Sequence, residues 1–202
     1  MSAWPGKYVI GLTGNIATGK SEVRRILEKF GAFGIDADQL AHQVIAKGEP
    51  AYERIVETFG TKILAENSQI DRARLGQIVF GDRTALAMLE AIVHPQVRKI
   101  VDHQVRHAGQ AVVVIEAIKL IESGYPKLCD SIWVTYSPEQ IQLKRLMEQR
   151  GMTETLARQR VSAQPDQEEK INAANVVIYN EGSLDDLRQQ VLSYWQKIFA
   201  SS

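Results

Sequence analysis

The sequence predicts an α/β fold built on a doubly wound, mainly parallel sheet. Two observations carry this. Segments 7–13, 110–117 and 130–137 (KYVIGLT, QAVVVIEA, DSIWVTYS) are apolar nearly throughout rather than alternating, as expected of strands covered by helices on both faces. Helical patterns run between and after them, and alternating strand and helix implies a parallel sheet with ligands at the carboxyl ends of its strands.

Taken in order, the first strand leads through GNIATGKS into a helix whose apolar face is Val23, Ile26, Leu27 and Phe30, closed by Gly31. Segments 32–38 and 174–180 are shorter strand candidates. Residues 39–108 read as helices without a central strand. Residues 138–170 read as a charged helical segment, with Ser137 expected at its start and Gly151 allowing hinge motion. Leu184, Leu187, Val191 and Tyr194 form a last helical face, with Ser183 as its N-cap. The expected organisation is a single domain, residues 1–202. It has a core of 7–38, 109–137 and 171–202, a helical insertion at 39–108 and a lid at 138–170.

Composition narrows the function. Lys plus Arg equals Asp plus Glu at 24 each, so the chain lacks the basic excess of a general nucleic-acid binder. Cys129 is the only cysteine, which excludes an intrachain disulfide and a cysteine-cluster metal site and fits a cytoplasmic location. No apolar run is long enough to span a bilayer, and no His/Glu spacing suggests zinc.

Gly14-x-x-x-x-Gly19-Lys20-Ser21 matches the P-loop pattern in its required setting, an apolar strand running in and an amphipathic helix running out. This makes the expected fold a P-loop NTPase, with helical substrate-binding and lid insertions. Glycines let backbone N–H groups converge on an anion, and the helix N-terminus adds positive potential. Lys20 can bridge β- and γ-phosphates, and the Ser21 hydroxyl can ligate Mg²⁺. Asn15 and Ala17 are expected to need no positive φ if Gly14 and Gly19 take the extreme conformations.

Other candidates have two readings each. Asp36 and Asp38, if extended, share a face and can take a proton or hold Mg²⁺ through water; alternatively one of them caps the following helix, for which Asp38 is well placed. Glu116 closes an apolar strand as a Walker-B acid would, or pairs with a lysine such as Lys119. Arg145 suits phosphate oxygens, or joins a solvated face with Glu148. Thr13 is at least the end of its strand. His94, before Pro95, is a helix-boundary imidazole or, with Arg98 a turn later, part of a polar wall for an acceptor.

The blocks GLTGNIATGKS, GIDADQLAHQVI, QIDRARLGQIVF, LEAIVHPQVR, QLKRLMEQR and NAANVVIYNEG, in this order and spacing, resemble the dephospho-coenzyme A kinase family from residue 8 to about 195. The resemblance implies transfer of the ATP γ-phosphate to the ribose 3′-hydroxyl of dephospho-coenzyme A, with Mg²⁺; a monomer or weak homo-oligomer is the separate expectation. It implies ATP binding by Gly14, Asn15, Ile16, Ala17, Thr18, Gly19, Lys20, Ser21 and Glu22, with Asn180 near the adenine. Asp38 is then the general base, Arg145 a phosphate clamp, and Thr13 close to the reacting groups. Asp36, His94 and Arg98 serve the acceptor, and Ser21 and Glu116 the metal. The family's loop usually carries glycine where Asn15 and Ala17 stand, and its strand ends in aspartate where Glu116 stands. Ile118 and Lys119 also depart, standing for proline and leucine. A nucleoside monophosphate kinase and a non-catalytic ATP-binding regulator are the alternatives. A GTP switch is disfavoured by the missing Asn-Lys-x-Asp signature.

Overall fold

A computed structural model describes residues 3–200. Strand β1 (Tyr8–Gly14) is followed by α1 (Lys20–Lys29), β2 (Phe33–Asp36), α2 (Ala37–Gln43), α3 (Tyr52–Phe59), α4 (Arg72–Phe80) and α5 (Arg83–His107). Then come β3 (Val112–Glu116), β4 (Ser131–Tyr136), α6 (Glu139–Arg150), α7 (Glu154–Ser162), α8 (Gln167–Asn172), β5 (Val176–Tyr179) and α9 (Leu184–Ala200). The five strands form one sheet in the order β2-β3-β1-β4-β5, and parallel ladders tie β1 to β3, β1 to β4 and β4 to β5. The chain winds outward in both directions from the central β1. Its carboxyl end is therefore the switch point at which such sheets bind ligands.

Covered faces explain the apolar strands. Ile10, Leu12, Val112, Val114, Trp133 and Ile178 pack on Val23, Ile26 and Leu27 of α1 and on Leu187 and Val191 of α9. On the opposite face, a Cβ on Gly11 would meet Leu120 at 2.8 Å and Cys129 at 2.9 Å. Cys129 is held there by burial and the adjacent Asp130 carboxylate, which together push its thiol up to about 12. The unfolded thiol ionises at lower pH, so the unfolded chain loses its proton first as pH rises. Stability should therefore fall as pH climbs from about 9 toward 12. Below that window the half-buried Cys129 should react with a disulfide reagent more slowly in the folded chain than in the unfolded one, which thiol-release assays with and without denaturant will check.

The chain divides into two compact units, one running up to Ile35 and resuming at His107, the other Asp36–Arg106. Strand β2 stops earlier than expected. Asp36, not Asp38, is the N-cap: its Oδ1 accepts the Gln39 N–H at 2.8 Å, so the helix begins at Ala37. Capping satisfies an orphan helix donor and outweighs continued extension, which puts Asp38 in the first turn rather than on a strand face. His94 is not a helix boundary either. Helix α5 runs through Pro95, carried by its buried stripe of Ile92, Val93, Val97, Val101 and Val105. His94 and Arg98 thus share one helix face, four residues apart; His94 is half-buried and Arg98 exposed.

Candidate functional site

The loop Gly14–Ser21 leaves β1 at the switch point and enters α1, whose first turn receives no side-chain cap. An uncapped helix N-terminus offers positive potential and orphan N–H donors, as an anion site requires. Gly14 (φ 151°) and Gly19 (φ 98°) adopt the conformations expected of them. Both also need the missing side chain, because a Cβ on Gly14 would lie 2.3 Å from Thr135 Oγ1 and one on Gly19 would lie 2.1 Å from Asn180 Nδ2. Gly19→Ala should therefore lose about 1–3 kcal/mol through strain alone, read as a lower urea midpoint. An unchanged midpoint would mean that the loop relaxes freely.

Ala17 corrects the expectation for the loop, since it sits at φ 59°. The flanking glycines do not absorb the whole turn, and a left-handed alanine costs about 1–2 kcal/mol. Packing and hydrogen bonding hold it there. Ile16 and Ala17 lie against Leu143, Leu146 and Ala157 of the 138–170 segment. Arg145 Nη1 donates to the Ala17 carbonyl at 3.0 Å. Asn15 Nδ2 donates to the Pro165 carbonyl at 2.8 Å, and the Ile16 N–H to Gln164 Oε1 at 2.5 Å. Asn15 is buried, and its position remains in the ordinary φ range as expected.

Lys20, 8 % exposed, turns its ammonium onto the Gly14 and Asn15 carbonyls at 2.9 and 3.2 Å. The Ser21 hydroxyl donates to Glu116 Oε1 at 2.7 Å, and Arg24 Nε donates to Glu116 Oε2 at 2.8 Å. Parallel pairing of Leu12 with Glu116 sets the acid beside the loop. Burial opposes the Arg24 charge, but hydrogen bonding to Glu116 and the fields of Glu28 and Glu116 leave its pKa raised. Sequence reading missed Arg24. The available signal was its place one turn after Lys20 on the same helical face.

Arg145 is half-buried and is engaged by the phosphate loop and Asn180 rather than by Glu148. Besides Ala17, it donates to Ser137 Oγ at 3.0 Å, to the Asn180 carbonyl at 3.0 Å and to Asn180 Oδ1 at 3.1 Å. Burial pushes its guanidinium down from the ordinary value. Asn180 Nδ2 in turn donates to the Thr18 carbonyl at 3.0 Å. Ser137 does not cap α6, whose N-cap is Pro138; it is buried and donates to the Asn180 carbonyl at 2.7 Å. Thr13 closes its strand. Its hydroxyl is fully buried and donates to the Ile118 carbonyl at 3.1 Å.

A cleft of about 520 Å³ opens on this loop, lined by Gly19, Lys20, Ser21, Arg25, Arg145, Arg150, Asn180 and Leu184 among others. Its cationic wall suits polyphosphate, and its Gly182–Leu187 end supplies apolar surface for a base. Ser21 and Glu116 present oxygen donors, the chemistry of a hard divalent cation, so they fit Mg²⁺. Among the described residues no group of three or more His, Cys, Asp or Glu forms a metal cluster. Nor is any described helix long and apolar enough to cross a membrane.

Asp36, Asp38, His94 and Arg98 all belong to the second unit, while the phosphate-loop residues, Glu116 and the residues of the 138–170 segment named above belong to the first.

Comparison with known proteins agrees with this chemistry. A family model described as dephospho-CoA kinase matches residues 8–186. A dephospho-CoA kinase of Carboxydothermus hydrogenoformans is 45 % identical over 192 residues, covering 94 % of this chain and 93 % of the relative. Among solved structures, TT1252 from Thermus thermophilus superposes with TM-score 0.83 at 30 % identity, covering 95 % of this chain and 97 % of its own. Dephospho-CoA kinase from Campylobacter jejuni superposes with TM-score 0.68 at 33 % identity and the same coverage. With its phosphate loop at the switch point of a parallel sheet and its relatives matched over nearly their full length, the chain belongs to the dephospho-CoA kinase family.

Proposed function

We propose that this protein transfers the γ-phosphate of ATP to the ribose 3′-hydroxyl of dephospho-coenzyme A, giving coenzyme A and ADP, the last step of coenzyme A biosynthesis. The observation that carries this reading is the cationic cleft on the phosphate loop in a chain that belongs to this family. ATP lies along the cleft, its phosphates on the loop N–H groups and Lys20, its base toward Asn180 and Leu184. Mg²⁺, held by Ser21 and Glu116, neutralises charge on the β- and γ-phosphates when bound.

Lys20 leaves the Gly14 and Asn15 carbonyls for phosphate oxygens, a contact that strengthens as charge develops in the transition state. Arg145 is set as a clamp by the four hydrogen bonds it donates, keeping Ala17 and Asn180 in register; it meets phosphate by exchanging some of these bonds. Thr13 supports the strand end. The acceptor falls to the second unit. Asp36 is committed to capping α2, which favours Asp38 as the base that takes the hydroxyl proton. His94 and Arg98, on one face of α5, bind the acceptor. The cytoplasm, where ATP is plentiful and Cys129 stays reduced, is the compartment this reading calls for.

The test is stoichiometric. With ATP and dephospho-coenzyme A, ADP and a 3′-phosphate resonance in ³¹P NMR should grow together and stop on chelation of Mg²⁺. ADP release without a new phosphomonoester would leave the chain an ATPase or regulator and reject the reading.

A further inference from the structure

The side chain of Glu116 is 4 % exposed, and each of its carboxylate oxygens has its own donor, Ser21 Oγ on Oε1 and Arg24 Nε on Oε2. Arg24 also reaches the other way, its Nη1 2.6 Å from Glu28 Oε1 one helical turn on. Strand β2 leaves room for this pair through Gly34, where a Cβ would lie 1.9 Å from Glu28 Oε1 and 3.1 Å from Arg24 Cγ. Four residues, three on α1 and one on β3, therefore form one chain of contacts ending at the Ser21 hydroxyl. Because Ser21 donates its proton to Oε1, its lone pairs are turned away from Glu116. A glutamate has more rotamers to lose than a shorter acid, and the planar guanidinium fork is suited to fixing one carboxylate orientation.

We propose that Arg24 is a positioning residue for the divalent cation: by holding Glu116 Oε2 it aims Oε1 at Ser21 and so orients the serine lone pairs toward the metal. The inference rests on the assignment of Ser21 and Glu116 to Mg²⁺. Simple charge repulsion argues the opposite way, since a cation beside a metal site weakens binding. Glu28 offsets that repulsion, because Arg24 lies between two carboxylates and the trio stays net negative. Orientation is then the larger effect.

The experiment is a fluorescence titration of a mant-ADP complex with Mg²⁺, comparing wild type with the double variant R24Q/E28Q and with R24K. The double variant keeps the trio's net charge while removing the fork, so electrostatics and positioning separate. The Mg²⁺ midpoint should rise on the order of tenfold in R24Q/E28Q, the usual scale for losing a group that orients a metal ligand. R24K should fall between it and wild type, and affinity for metal-free mant-ADP should stay unchanged. A midpoint within twofold of wild type in folded R24Q/E28Q overturns the inference; if circular dichroism shows that variant unfolded, a wild-type midpoint in R24K does so. Wild type with no Mg²⁺ dependence at all would instead reject the metal assignment beneath it.

Discussion

Lys20→Ala should lower kcat on the order of 10²–10³-fold, the range for removing one donor to charge that develops in a transition state. The side chain is nearly enclosed, and its ammonium rests on two carbonyls of the loop it serves. A cation in a confined, partly desolvated loop interacts with phosphate far more strongly than one in water. Ground-state affinity should change less, because the loop N–H groups and the α1 terminus still hold the phosphates. The KM for ATP should therefore move by a smaller factor than kcat. Loss of the two bonds to Gly14 and Asn15 also loosens the loop, so a thermal melt must accompany the kinetics. A well-folded variant with kcat within tenfold of wild type would remove Lys20 from the chemistry.

Asp38→Asn should cost on the order of 10²–10⁴ in kcat, the usual contribution of a positioned general base. ATP affinity should be nearly unchanged, since the phosphate loop and cleft lie in the other unit. Asp36→Asn is the informative partner. Asparagine caps helices about as well as aspartate, so α2 should survive. If Asp36 only caps, its rate should fall far less than that of Asp38→Asn. Near-normal turnover in Asp38→Asn with a collapsed rate in Asp36→Asn would reverse the assignment.

The sheet was legible because a strand covered on both faces cannot alternate, and 7–13, 110–117 and 130–137 did not. The phosphate loop was legible because its two extreme conformations fall on glycines at fixed spacing. What was illegible depended on partners distant in sequence. Nothing in GNIATGKS says that Ala17 will be held left-handed, because the restraint comes from Arg145 and a hydrophobic cluster more than a hundred residues on. Arg145 was undecided for the same reason: its four acceptors belong to Ala17, Ser137 and Asn180.

Local competition accounts for the remaining differences. Asp36 and Asp38 were both plausible caps, and two residues decide whether an aspartate closes a strand or sits inside a helix. His94 before Pro95 read as a boundary because proline removes a helix hydrogen bond. The buried valines and isoleucines of α5 outweigh that loss. Glu116, standing where the family has aspartate, comes with its own arginine, which no local pattern announces.

The most direct measurement supplies the protein with ATP, Mg²⁺ and a panel of acceptors: dephospho-coenzyme A and the common nucleoside monophosphates. The expected result is transfer to dephospho-coenzyme A, one ADP per 3′-phosphate formed, with nucleoside monophosphates left untouched. Transfer to a nucleoside monophosphate with none to dephospho-coenzyme A, or ATP binding with no transfer to any acceptor, would contradict the account.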